Sequence, residues 1–175
     1  MQAMTRWLCS WLVIVFALGV GFASLAVQPA LAQPVLQGRG NPAQQTALFY
    51  QWYIPTALHA TRLCAGGAGS SVVDDPALKR FVSAELVAAL HEAGRGNCVQ
   101  KLDESSAYFL HADSAGAVRQ MPSEVATVVQ TASRALVRVR LGEALLCVRL
   151  RHEREGWRLF RVEPQGEAER TACAE

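Results

Sequence analysis

Between residues 137 and 162 apolar residues alternate with arginines, and a period of two admits one backbone only. Val137, Val139 and Leu141 are interleaved with Arg138 and Arg140, and Leu146, Val148 and Leu150 with Cys147, Arg149 and Arg151. Successive side chains of a strand point to opposite faces, so the pattern predicts antiparallel strands with one buried face and one polar face. Glu155-Gly156 reads as a turn into a last strand, Trp157 to Val162, and Val125 to Val129 as a first one. Upstream the spacing changes to three and four. Asn41 is placed to cap a helix, Pro42 suits its first position and Gln44 can complete a capping box. Phe49, Trp52, Tyr53, Thr56, Ala57, Ala60 and Leu63 then recur on one side, with Pro55 expected to kink the helix. Ala65 to Ser71 is a loop, Asp75-Pro76 opens a short helix, and Ser83 caps another that carries Leu86, Val87 and Leu90 and stops at Gly94 and Gly96. Residues 95–107 read as polar and irregular, followed by an apolar island, Tyr108-Phe109-Leu110. Helices first and strands afterwards predict an α+β domain, N-terminal helices packed on a curved antiparallel sheet.

The N-terminal 32 residues follow a different logic. Arg6 supplies a short positive region, no residue from Trp7 to Val27 is charged, Pro29 interrupts the run, and Ala30-Leu31-Ala32 offers small residues at a signal peptidase site before Gln33. The expected organisation is a signal peptide over 1–32, a flexible lead-in over 33–44, a single domain over 45–163 and a C-terminal tail over 164–175. The apolar run is longer than a usual signal core, so an inner-membrane anchor formed by residues 7–27 is the alternative to a cleaved, periplasmic protein. A membrane is a partner only if that segment is retained.

Four cysteines lie beyond the signal: Cys64, Cys98, Cys147 and Cys173. An even number in an exported chain predicts two disulfides, and three pairings are open. Cys64 ends one helix and Cys98 sits in a loop free to return to it, which favours Cys64–Cys98 and leaves Cys147–Cys173 to tie the tail to the sheet. No C-x-x-C or clustered Cys/His spacing points to a metal, and no cofactor motif is present. Removing residues 1–32 takes one of the 17 Lys+Arg and none of the 15 Asp+Glu. The near-neutral remainder excludes a general nucleic-acid binder.

Four segments in this order resemble a known family: Phe49-Tyr50-Gln51-Trp52-Tyr53-Ile54; Leu78 to Leu86; Tyr108-Phe109-Leu110-His111-Ala112-Asp113; and Glu155 to Val162. Together they look like the bacterial envelope proteins of the domain of unknown function 3828 family, over roughly residues 45–163. The resemblance implies a nuclear transport factor 2-like (cystatin-like) cone and an envelope location, and no reaction. Family members usually follow the Tyr-Phe-Leu-x-Ala run with Gln-Asp, where this chain has Asp113-Ser114.

In that superfamily, isomerases and dehydratases place an Asp, His or Tyr inside the cone. Tyr50, Tyr53, Tyr108, His111 and Asp113 are therefore the pocket candidates here. A second candidate site is electrostatic. Residues 134–161 hold eight arginines against Glu143, Glu153 and Glu155, and alternation puts Arg138, Arg140, Arg149 and Arg151 on the side away from the core. Such a face is either solvated or docks an acidic partner. No nucleophile elbow, phosphate loop or His-Glu zinc motif is present, and Ala65 to Ser71 is glycine-rich without a lysine. The leading expectation is a non-catalytic periplasmic domain, accessory or immunity-type, that binds an envelope protein or a small ligand. The alternative is a small isomerase, dehydratase or hydrolase that uses the cone interior.

Overall fold

Helix α1 (Pro42–Ala65) begins where a side-chain acceptor and a proline coincide. The Asn41 side-chain oxygen accepts from the Ala43 amide at 2.9 Å and the Gln44 amide at 3.4 Å, and Pro42 takes a position whose N–H would have no helical partner. The computed structural model describes residues 40–67, 69–112, 120–165 and 173; the expected signal segment and residues 33–39 lie outside them. Residues 42–44, expected in the lead-in, are the first turn of α1. The helix continues through Pro55 to Ala65. Pro55 and Gln51 are both exposed, so the carbonyl that the proline leaves without a donor is on the solvent side.

The buried stripe of α1 is Phe49, Tyr50, Tyr53, Ile54, Ala57, Ala60 and Cys64. It is rotated from the expected one: Tyr50 and Ile54 are inside, Trp52 is half-buried and Leu63 is exposed. Tyr50 goes fully inside because its hydroxyl finds an internal acceptor, the Phe109 carbonyl at 3.1 Å. Short 3-10 turns follow at Val72–Asp74 and Pro76–Arg80, capped by Ser71 and Asp75. Helix α2 (Ala84–Ala93) is capped by Ser83 and buries Leu86, Val87 and Leu90 before ending at Gly94.

Residues 95–107, expected to be irregular, instead contain most of a third helix, α3 (Cys98–Leu110). Its start is a reciprocal capping box. Asn97 Oδ1 accepts from the Gln100 amide at 3.0 Å, and the Gln100 side chain accepts from the Asn97 amide at 3.1 Å. The buried positions are Leu102, Ser105, Ser106, Phe109 and Leu110. Two serines inside that stripe hide its helical period from a hydrophobicity reading. Because four N–H groups at a helix start need acceptors, Asn97→Ala is expected to cost about 1 kcal/mol in urea unfolding.

The strands β1 (Glu124–Gln130), β2 (Arg134–Leu141), β3 (Ala144–Glu153) and β4 (Gly156–Pro164) form an antiparallel meander in chain order. Bulges occur at Thr127/Val129 and opposite Arg149/Leu150, features that bend strands. Gly156 starts β4 at φ 121°, which favours glycine at this turn. Val137, Val139, Leu146, Val148, Leu150 and Leu159 form the inner face with no measurable exposure and join the helices in one core. The free edge of β4 is partly closed by residues 81–83: the Leu159 amide donates to the Phe81 carbonyl at 2.8 Å, and the Ser83 amide to the Leu159 carbonyl at 2.9 Å.

Cys64 pairs with Cys98 and Cys147 with Cys173, Cα atoms 5.5 Å apart in each. The first links the end of α1 to the start of α3. The second brings Cys173, in the expected tail, onto the opposite sheet face, where it forms a small apolar cluster with Leu136 and Cys147. Among the described residues no helix is long and apolar enough to cross a membrane; residues 7–27 are not among them. Two disulfides place the folded domain in a non-cytoplasmic setting.

Candidate functional site

The interior, where the resemblance implies a pocket, is packed with aromatic rings. Phe49 sits 5.0 Å from Tyr50, 5.3 Å from Tyr53 and 4.9 Å from Phe109, ring centre to ring centre. Tyr53 lies 5.0 Å from Phe109, and all four side chains are fully buried. The Tyr53 hydroxyl donates to Ser105 Oγ at 3.0 Å, and Ser105 in turn donates to the Leu102 carbonyl at 3.0 Å. Burial raises Tyr50 well above its usual pKa and pushes Tyr53 up to about 12. A general acid or base is most effective near the working pH, so neither phenol is poised for proton transfer at neutrality.

Of the remaining pocket candidates, Tyr108 packs at the edge of this core, its ring 5.2 Å from Phe109. Tyr108 is half-buried, raised by burial, and its hydroxyl accepts from the Val162 amide at 3.3 Å. His111 is exposed at the end of α3 in a left-handed conformation (φ 48°), and loss of water around the ring lowers its pKa. Its imidazole is therefore mainly neutral at pH 7. Asp113 lies outside the described residues. No group of three His, Cys, Asp or Glu residues that could hold a metal occurs among the described residues.

The outer sheet face does gather the four singled-out arginines, and it gathers carboxylates with them. Arg138 donates to Glu124 at 2.7 and 3.1 Å, and Arg140 lies 3.5 Å from the same side chain. Arg149 meets Glu163 at 3.0 Å, and Arg161 meets it at 2.6 Å. Arg151 pairs with Glu153 at 2.8 Å and with Glu85 of α2. The arginine excess read from residues 134–161 is thus balanced from outside that window, by Glu85, Glu124 and Glu163. Strand pairing brings in Glu124 and Glu163, the placement of α2 brings in Glu85, and a linear count does not see them.

Hydrogen bonds from Arg138, the first cause, and its charge hold the Glu124 carboxyl below its ordinary value of 4.5. A depressed folded-state pKa stabilises the fold above the unfolded value, and the gain is lost as pH falls through the folded one. The Glu124 carboxyl, followed by NMR, is therefore expected to titrate below pH 4.5, and Arg138→Gln to return it toward that value. An unchanged midpoint in the variant would show that the pair is not formed in solution.

A third feature escaped the sequence reading. Of the clefts that border the β3–β4 turn, Arg154 and Glu155, two have volumes of about 610 and 600 Å³. The first lies against α2 and includes Lys79, Val87 and His91; the second includes Leu48, Trp52 and Phe81. Arg158 lines both. Its neighbour Leu159 is bonded through its backbone to residues 81 and 83, which holds this part of β4 against the segment between the clefts. The Arg158 side chain is 9 % exposed and meets Glu155, 84 % exposed, at 2.9 Å. Arg158 and Arg154 belong to the arginine-rich stretch already counted, but alternation alone could not show that Arg158 is buried while Arg154 stays exposed beside it.

No family model matches this chain, and no curated protein matches it. Among solved structures it is similar to a chain of the type VI native effector–immunity complex Tae3-Tai3 from Ralstonia pickettii. The similarity covers 74 % of this chain and 98 % of that one, at 17 % identity and a TM-score of 0.50. At that identity the likeness bears on the fold: helices and an antiparallel sheet in a shared arrangement.

Proposed function

We propose that this chain is a non-catalytic, protein-binding domain of immunity type, exported by a signal peptide cleaved after Ala32 and acting in the periplasm. Its partner on this reading is an effector-type protein that it holds inactive. The observation that carries the reading is the filled interior. Phe49, Tyr50, Tyr53 and Phe109 fill the interior that the enzyme alternative would need for substrate, and the buried hydroxyls of Tyr50 and Tyr53 are spent on internal bonds. The likeness to a chain from an effector–immunity complex supports the choice of partner class. Resemblance to the domain of unknown function 3828 family, with its nuclear transport factor 2-like cone, belongs to the same proposal.

Affinity purification of the exported chain from the envelope, with mass spectrometry of what co-elutes, tests it. The expected result is one dominant protein that reassembles with the purified chain in a defined stoichiometry. Intact mass should place the N-terminus at Gln33. A chain that elutes alone and turns over a small substrate would overturn the proposal, and a species retaining Trp7 and Cys9 would make it membrane-anchored.

A further inference from the structure

Arg138, Arg140, Arg149, Arg151 and Arg161 of the outer face are each met by a carboxylate, Arg134 at its end being the exception among the described residues, so the charge of that face is largely answered within the domain. Around the β3–β4 turn the balance differs. Lys79 and Arg154 are exposed and have no carboxylate partner among the described residues, and Arg158 has only Glu155. The asymmetry of that pair is informative. A guanidinium out of water needs a counter-charge, because leaving it unpaired is costly. An exposed glutamate gains little from the pair and can be exchanged for another carboxylate at small cost. Beside this charge lies a cleft of mixed lining in which the exposed Leu48, half-buried Trp52 and buried Phe81 form an apolar patch among Gln45, Gln51 and Arg80, with Trp52 and Phe81 stacked at 5.4 Å. Tryptophan and arginine in adjacent clefts are the residue types that anchor protein interfaces.

We infer that the clefts flanking the β3–β4 turn dock a carboxylate-bearing loop of a partner protein, whose carboxylate displaces Glu155 from Arg158. Lys79 and Arg154 flank the incoming charge, and the Leu48–Trp52–Phe81 cleft takes an apolar side chain of the same loop. The inference rests on the protein-binding reading and deepens it by naming the surface and the chemistry of the segment that fits.

A hexaglutamate peptide titrated into the isotopically labelled exported protein, followed by NMR, tests it without knowledge of the partner. Amide shifts should centre on residues 79–82 and 154–158 and fade with salt. Lys79→Gln with Arg154→Gln, both at exposed positions, should weaken the peptide roughly tenfold. Glu155→Gln should tighten it about threefold by removing the competing carboxylate, whereas Glu143→Gln, the same charge change in the exposed β2–β3 turn, should not. Shifts centred on Arg138 and Arg149, no response to the cleft variants, or equal tightening by both glutamine variants would overturn it. A co-purified partner indifferent to the cleft variants would sink this inference and leave the protein-binding reading standing. Absence of any partner would sink that reading while the peptide result still judged the cleft.

Discussion

Replacing Phe49 with alanine is expected to cost about 3–5 kcal/mol. Phe49 is fully buried and its ring lies within 6.4 Å, centre to centre, of Tyr50, Trp52, Tyr53, Phe81 and Phe109. These neighbours come from α1, α3 and the segment leading into α2, so they cannot all collapse into the space left by the ring. Both the lost transfer energy and the residual cavity then count. Domains of this kind are stable by about 5–15 kcal/mol, and the variant should sit near the edge of folding. Urea unfolding followed by circular dichroism measures it. The result also bears on function. A loss under about 1 kcal/mol would mean that the interior tolerates a void, as a ligand cavity does, and would favour the enzyme alternative.

The second large effect is expected from the disulfides. Opening Cys64–Cys98, which spans 34 residues, should cost about 3–4 kcal/mol by loop entropy, and opening Cys147–Cys173, which spans 26, nearly as much. Their consequences differ. The first loss unties α1 from α3, the two helices that supply the aromatic interior. The second releases Cys173 from Leu136 and Cys147 and uncovers a small apolar patch on the outer sheet face. Melting temperatures of the Cys64→Ala/Cys98→Ala and Cys147→Ala/Cys173→Ala pairs separate the two, and non-reducing peptide mapping checks the pairing. Recovery of Cys64 linked to Cys147 would contradict the fold as described.

How much of this was legible follows from which interactions are local. The alternation of Val137–Leu141 and Leu146–Leu150, the caps at Asn41, Asp75 and Ser83, and the turn at Glu155-Gly156 are written within a few residues of where they act, and all appear in the fold. Helix α3 was missed because Ser105 and Ser106 sit at buried positions, where a hydrophobic period would show apolar side chains. Asn97 and Gln100 were the available signal, three residues apart as a capping box requires. The candidate sites depended on distant segments and were less readable. Tyr50 and Tyr53 were recognised, but their hydroxyls are answered by Phe109 and Ser105, more than fifty residues away. Arg138, Arg140, Arg149 and Arg151 lie on the face that alternation assigned them, while the acids that pair with them, Glu153 apart, come from other strands and from α2. Lys79 and Arg158 line one cleft because residues 81–83 bond to β4.

The central claim is that this chain works by binding and silencing another protein. Growth of cells that express the co-purified protein in their envelope, with and without this chain, measures it directly. Growth arrest relieved by the wild-type chain, and relieved less by the Lys79→Gln/Arg154→Gln variant, is the predicted result; arrest that the wild-type chain leaves unchanged at equal abundance would contradict it.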